Sequence, residues 1–238
     1  MLADSRYDEE DVLSVIDHLR REGGKKYNAT TLEHARHFYG KEPQGTWSPA
    51  EVFEDRDVLL LGAGPAVGKH QHAIETFIRN HKPVVVALNT QMGVSPDLID
   101  LRVASHPVRL LADGAKHAAL PQPLIAPLSM LPDEVRQTLE GQNVFDFGLV
   151  VDAGRVEFGD RYCIMPSSLV VNYALAAAAS GRAQRVFLAG FDGYGAGDPR
   201  DQEMQSLMES YQSHTDSLPL TAITPTQYGI HTESVYAL

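Results

Sequence analysis

Apolar positions along this chain come in short runs, separated by breaks rich in glycine, proline or polar residues. The clearest run, 58–61, is four apolar residues that lead into Gly62, Gly64 and Gly68 and then a helix-permitting stretch at about 69–80. This pattern predicts a buried strand, a tight turn and a helix. Further runs predict strands at 83–88, 101–104, 123–127, 162–165, 185–189 and 220–223, and helices at 169–180 and 199–212. Segment 169–180 is almost wholly apolar, so it is expected to be deeply buried. Residues 143–163 alternate at Phe145, Phe147, Leu149 and Val151, break at Gly154, and resume at Val156 and Phe158. That stretch reads as a strand pair or an irregular insertion. Strands alternating with helices imply an α/β fold with a mostly parallel sheet, right-handed crossovers and helices on both faces.

The N-terminal part follows a different pattern. Val12, Val15, Ile16 and Leu19 have amphipathic-helix spacing over 8–22, acidic residues lead, and Arg20, Arg21 and Gly23-Gly24 close it. A second helix fits 31–39, with Leu32, Ala35 and Phe38 on one side. Residues 40–49 read as a linker that Trp47 pins to the main domain. The expected organisation is a short helical appendage with linker over 1–50 and a main domain over 51–238.

Composition narrows the function classes. A length of 238 residues suits one large α/β domain with an appendage. A net charge of −11 argues against a general attraction to nucleic acid or anionic membrane. A lone cysteine, Cys163, allows no internal disulfide or multi-cysteine metal site, and its apolar surroundings read as a buried thiol. No run approaches the roughly 18 apolar residues of a membrane helix. The acidic start lacks the apolar core of a signal peptide, so the expected setting is cytoplasmic and not integral to a membrane.

Ligands of open parallel sheets bind beyond the carboxyl ends of the strands. The segments there are Gly62-Ala-Gly-Pro65, Asn89-Thr-Gln91, Ser105-His106, Pro166-Ser-Ser168 and Gly190-Phe-Asp-Gly-Tyr194. All are small, polar or glycine-rich. The spacing of Gly62, Gly64 and Gly68 is one residue off the dinucleotide fingerprint, and Asn89 stands where that fingerprint wants an acid. Pro65 removes a donor that a pyrophosphate would use. The glycine turn therefore suits a single phosphate, or serves only helix–sheet packing. Asn89 can hold a phosphate, ribose or base, or cap its own turn. His106 can contact a ligand or satisfy a backbone carbonyl. Ser167 and Ser168 are N-caps that could also join an anion site. Asp192 and Tyr194 sit in a glycine-rich loop, and His214 lies about one helix beyond. The scattered histidines give no metal-ligand spacing, and Gly-x-Ser-x-Gly is absent.

Together, 60–65, Asn89, Ser167-Ser168 and 188–194 resemble the nucleotide-binding domain of bacterial lipo-oligosaccharide sialyltransferases. They are also similar to the related motility-accessory and hydroxymethylpterin diphosphokinase-like group. The resemblance implies a Rossmann-like domain that binds a nucleotide sugar such as a CMP-sugar. It places Gly62, Gly64, Asn89, Ser167 and Ser168 around the nucleotide, and the other strand-end residues Pro65, His106, Gly190 and Asp192 are expected to join them by their location. Tyr194 would hydrogen-bond the departing phosphate and His214 would be the base, with no metal and no cofactor. Ala66 and Leu169 depart from the family pattern, which has Ser and often Gly there. A second resemblance, of 5–12 and 23–27 to the C-terminal tail of hydroxymethylglutaryl-CoA-lyase-type pyruvate aldolases, covers residues 1–50. Two readings stay open. One is a glycosyltransferase-like enzyme of surface-polysaccharide synthesis. The other is a non-catalytic nucleotide- or phosphosugar-binding module with an aldolase partner. Homo-oligomerisation is compatible with both.

Overall fold

The structure, a computed structural model, describes residues 38–90, 92–195 and 198–238. The helix expected over 8–22, nearly all of that over 31–39, and the aldolase-like segment lie outside these residues. Phe38 and Tyr39, the expected end of the second helix, are not helical, and Tyr39 forms a parallel bridge with Val151.

The short β-runs assemble into one eight-stranded sheet. It comprises β1 (Asp57–Leu61), β2 (Val84–Leu88), β3 (Leu101–Val103), β4 (Leu124–Ala126), β5 (Val144–Asp146), β9 (Arg185–Ala189), β10 (Leu220–Ala222) and β11 (His231–Thr232). Their order is β11-β10-β9-β1-β2-β3-β4-β5 and every neighbouring pair is parallel. All carboxyl ends therefore share one edge. The chain first builds outward from β1 to β5 and later returns to its other side as β9, so the topological switch falls between β1 and β9.

Alternation along β1 sends successive side chains to opposite faces. Leu59 and Leu61 join Val85, Ala87, Phe187 and Ala189 under Ile74, Phe77 and Ile78 of the helix Gln71–His81. Val58 and Leu60 face the other way, toward the helix Val170–Ser180. Number the helices in chain order: α1 (Ala50–Phe53), α2 (Ala66–Lys69), α3 (Gln71–His81), α4 (Pro107–Ala112), α5 (Gly114–Ala119), α6 (Asp133–Thr138), α7 (Val170–Ser180) and α8 (Pro199–Ser213). The architecture is α/β and Rossmann-like, with helices on both faces of the sheet.

The ambiguous stretch resolves into both alternatives. β5 extends the main sheet, whereas β6 (Gly148–Val151), β7 (Glu157–Phe158) and β8 (Tyr162–Met165) form a second sheet in the order β6-β8-β7. α7 lies between the two sheets, against β2 and β3 on one side and β7 and β8 on the other. Having no face to solvent, it has no polar stripe, and Leu175, Ala176 and Ala178 are 0% exposed. Cys163 is also fully buried, and burial pushes its thiol pKa up.

Residues 38–47 run along the second sheet. The Val151 N–H donates to the Phe38 carbonyl at 3.0 Å, and the Thr46 and Trp47 N–H groups donate to Asp146 O at 2.9 and 3.0 Å. Trp47 stacks on Phe145 with centroids 4.7 Å apart. A Cβ on Gly45 would lie 2.1 Å from the Arg161 carbonyl oxygen, so only glycine allows this approach. Among the described residues no helix is long and apolar enough to cross a membrane.

Candidate functional site

At the switch point the turn after β1 meets the turn after β9. The Gly62 N–H donates to Ala189 O at 2.8 Å and the Gly64 N–H to Gly190 O at 2.9 Å. The Ala66 N–H, at the start of α2, donates to Asp192 Oδ1 at 3.0 Å. Gly190 adopts φ +78°, and its N–H donates to Thr224 Oγ1 at 3.0 Å. Side chains have no room here. A Cβ on Gly64 would lie 2.0 Å from Asp192 Oδ2, and one on Gly190 2.3 Å from Val67 Cγ2.

These contacts correct the expectation for three glycines. The amides of Gly62, Gly64 and Gly190 are committed within the protein, so none is aimed at a phosphate. Pro65, as expected, offers no donor. Asp192 is not a ligand contact of the expected kind either. One oxygen of its carboxylate takes the Ala66 amide, and the other, Oδ2, is buried without a hydrogen-bond partner. A carboxylate thus occupies the place where an anionic ligand would have met the turn.

The neighbouring loops differ. Asn89 ends β2 in the left-handed region at φ 58°, which asparagine tolerates. Its N–H donates to Val103 O at 2.8 Å, but its carboxamide makes no hydrogen bond among the described residues. His106 precedes α4, and its Nδ1 is buried with no partner. Burial, reinforced by the nearby Arg109 charge, lowers its pKa to about 4, so the ring is neutral near pH 7. Tyr194 is 36% exposed, and its hydroxyl has no partner among the described residues. Burial raises its pKa against the opposing charges of Arg200 and Arg109, so the phenol stays protonated and can donate.

A third loop supports Tyr194. Gln227 Nε2 donates to Tyr194 O at 3.0 Å, the Tyr194 N–H donates to Asp201 Oδ1 at 3.2 Å, and Thr226 Oγ1 donates to Phe191 O at 2.6 Å. Arg200 lies over the Tyr194 ring, 4.6 Å from its centroid. Sequence reasoning passed over Thr224, Thr226 and Gln227. The signal was present, since these residues follow the last predicted strand and the same end-of-strand rule applies to them.

Ser167 and Ser168 are not N-caps, because Leu169 holds that position without a side-chain cap. Ser167 Oγ accepts from Asn172 Nδ2 at 2.7 Å and remains half-buried. Ser168 is 1% exposed, and its carbonyl accepts from Ser105 Oγ at 2.9 Å. Its task is to join the ends of β3 and β8, and direct ligand contact does not fit that burial.

His214 is displaced furthest from expectation. It follows the last residue of α8, whereas Tyr194 precedes the first, and the helix has 15 residues. At about 1.5 Å per residue the two ends of the helix stand about 22 Å apart, and Tyr194 packs against its first turn whereas His214 lies past its last, at opposite edges of the sheet. The His214 ring packs edge-on to Phe158 at 5.1 Å, and its Nδ1 accepts from the Asp216 N–H at 3.2 Å. It cannot be the base of a reaction at Tyr194.

A cleft of about 490 Å³ lies elsewhere, between Lys41–Gln44 and Ser129–Asp133 beside β5, the far end of the sheet from the switch point.

Fold and edge together define a Rossmann-like α/β protein with unsatisfied polar groups beyond its strand ends. Among solved structures, the MAf glycosyltransferase from Magnetospirillum magneticum AMB-1 is similar to this chain, with a TM-score of 0.59 and 12% sequence identity. The match covers 98% of this chain and 43% of that protein, so this chain spans less than half of its length. At that identity the likeness establishes the fold. No family model and no curated protein matches the sequence.

Proposed function

We propose that this chain binds a nucleotide sugar and acts as a metal-independent, glycosyltransferase-like protein of surface-polysaccharide synthesis, with a CMP-sugar as the donor class. The observation that carries the reading is the set of uncommitted polar groups of Asn89, His106 and Tyr194, held at the carboxyl edge of a sheet whose fold resembles a glycosyltransferase. In this reading Asn89 contacts the ribose or base and the neutral His106 ring offers a hydrogen bond from the floor. The protonated Tyr194 hydroxyl donates to the departing phosphate and stabilises its developing charge. Ser167, the one serine of its pair with some exposure, lines the same edge. Among the described residues no histidine makes a hydrogen bond or ring contact with Tyr194, and the carboxylate beside it, Asp201, already accepts from its N–H and from Gln227. That observation favours a second reading, in which the chain binds the nucleotide or phosphosugar without transferring it.

Thermal shift with CMP, CDP, UDP and GDP tests the binding. We expect CMP at about 100 times its Kd to stabilise the chain by about 2.7 kcal/mol. Asn89→Gly, which keeps the left-handed backbone and deletes the carboxamide, should abolish the shift without lowering the unliganded midpoint. No response to any nucleotide would sink the reading. Hydrolysis of a CMP-sugar then separates the two readings, because a transferase slows in Tyr194→Phe and a binding module shows no turnover to slow.

A further inference from the structure

Arg102, in the middle of β3, is 0% exposed, yet the partners of its guanidinium are all neutral. Nε and Nη2 donate to Gln122 O at 3.1 and 2.8 Å, Nη2 donates also to Leu120 O at 3.3 Å, and Nη1 donates to His117 Nδ1 at 2.9 Å. Among the described residues no carboxylate pairs with it. Burial lowers its pKa to about 10, which leaves it charged near pH 7. The two carbonyls belong to the loop between α5 and β4, and His117 belongs to α5 itself. One buried side chain thus ties this whole arm to the sheet.

The imidazole can serve only in its neutral form. A guanidinium only donates, so Nδ1 is the lone-pair nitrogen and the proton of the ring sits on Nε2. A second proton can enter only at Nδ1, the atom that the guanidinium occupies. It would take away the acceptor of Nη1 and set two cations 2.9 Å apart, both shut off from water. The other charges that bear on the ring, Asp113 and Lys116, come from its own stretch of chain and are paired with each other at 2.9 Å. From α4 and α6, which pack against α5, the charged residues Arg109, Asp133, Glu134 and Arg136 do not bear on it.

We propose that Arg102 and His117 form a proton-operated latch. While the imidazole is neutral the latch holds α5 and the loop after it onto β3, and uptake of a solvent proton by Nδ1 releases them. Only Asp113 separates α5 from α4, and α4 starts beside His106 at the carboxyl edge, so release loosens one wall of that edge. The latch stands apart from the nucleotide reading, since it needs no ligand.

Hydrogen exchange on the full chain at pH 7.5 and pH 5, corrected for the intrinsic rate at each pH, tests the latch. The opened arm takes up a proton below the ordinary histidine pKa of about 6.5, and the closed one only near 4. The open population of 114–120 should therefore rise about thirtyfold between the two conditions. Amides of β1 and β2 should stay slower than those of α5 at both, as local opening without global unfolding requires. His117→Asn puts an uncharged acceptor where Nδ1 was, so its open population should agree within twofold at the two pH values. Equal protection of the parent arm at both pH values overturns the latch, as does a rise in His117→Asn equal to that of the parent, or exchange of α5 at the rate of β1 and β2. An NMR titration of the parent needs no variant. There, a His117 ring that protonates near pH 6.5 while the α5 amides stay protected also refutes the latch, and a ring that stays neutral in the closed arm supports it.

Discussion

The Gly62–Pro65 turn and the rim of Asn89, His106 and Tyr194 stand at the same end of the same sheet, yet they use their polar atoms in opposite ways. In the turn, the Gly62, Gly64 and Ala66 amides each find a partner at the end of β9 or on the loop that follows it, and the glycines admit a backbone approach that a Cβ would block. At the rim, a carboxamide, an imidazole nitrogen and a phenol have none among the described residues. The glycine-rich turn is the conspicuous feature of the sequence, but in the structure it fastens β1 to β9. The polar groups left without a partner among the described residues are the inconspicuous ones. A motif built from backbone amides can be judged only when the partners of those amides are known.

The largest effect that could break this contrast is on stability. Gly190→Ala places a Cβ 2.3 Å from Val67 Cγ2 at a residue with φ +78°. Left-handed strain plus overpacking should cost about 3 kcal/mol, read as a shift of the urea midpoint. A midpoint unchanged within error would mean that the junction is open and its amides are free to receive a phosphate after all.

Acid should separate a committed imidazole from an uncommitted one. His117 is 1% exposed, and its Nδ1 lies 2.9 Å from Arg102 Nη1, so it accepts from that guanidinium. Burial, then the Arg102 charge, lowers its pKa to about 4. His106 is lowered to about 4 by burial and Arg109. For both, the unfolded chain binds more protons than the folded one between the unfolded pKa of about 6.5 and the folded value. Stability is therefore full above about pH 6.5 and is lost as pH falls toward 4, by up to about 3 kcal/mol per imidazole. His106→Gln should remove its share of the acid slope without lowering stability at pH 7. His117→Gln should lower stability at pH 7, because Arg102 loses its acceptor. Equal losses at pH 7 would show that His106 has a partner and the rim is closed.

The smallest effect concerns His214. Replacing it by alanine loses the edge contact with Phe158 and the bond from the Asp216 amide, about 1 kcal/mol of stability. Nucleotide affinity should not change. A loss of affinity would place His214 at the rim and undo the topology on which the contrast rests.

Strand and helix identities were largely legible, because a strand buried on both faces is an unbroken apolar run and α7 is apolar all round. The place of Asn89, His106 and Tyr194 at the carboxyl edge was legible for a simple reason: each follows a strand, and a parallel sheet brings every strand end to one edge. The fate of the glycine amides was not legible, since it depends on β9 lying beside β1, a pairing between residues more than 120 positions apart. The separation of His214 from Tyr194 could have been read from the sequence. A helix that leaves the carboxyl edge and leads into another parallel strand must end at the opposite edge.

The stretch 38–47 bears on how this domain could be separated from its surroundings or grafted onto another protein. It contributes main-chain bonds to β5 and β6, a stacked tryptophan and a glycine pressed onto a carbonyl, so in mechanical terms it is a fixed seam along the small sheet and not a tether. A graft starting near residue 51 would leave the Val151 amide and the Asp146 carbonyl without their partners and strip Phe145 of its cover. The unit that can be moved intact begins no later than Phe38, and whatever is fused ahead of it would enter beside the small sheet, close to β6.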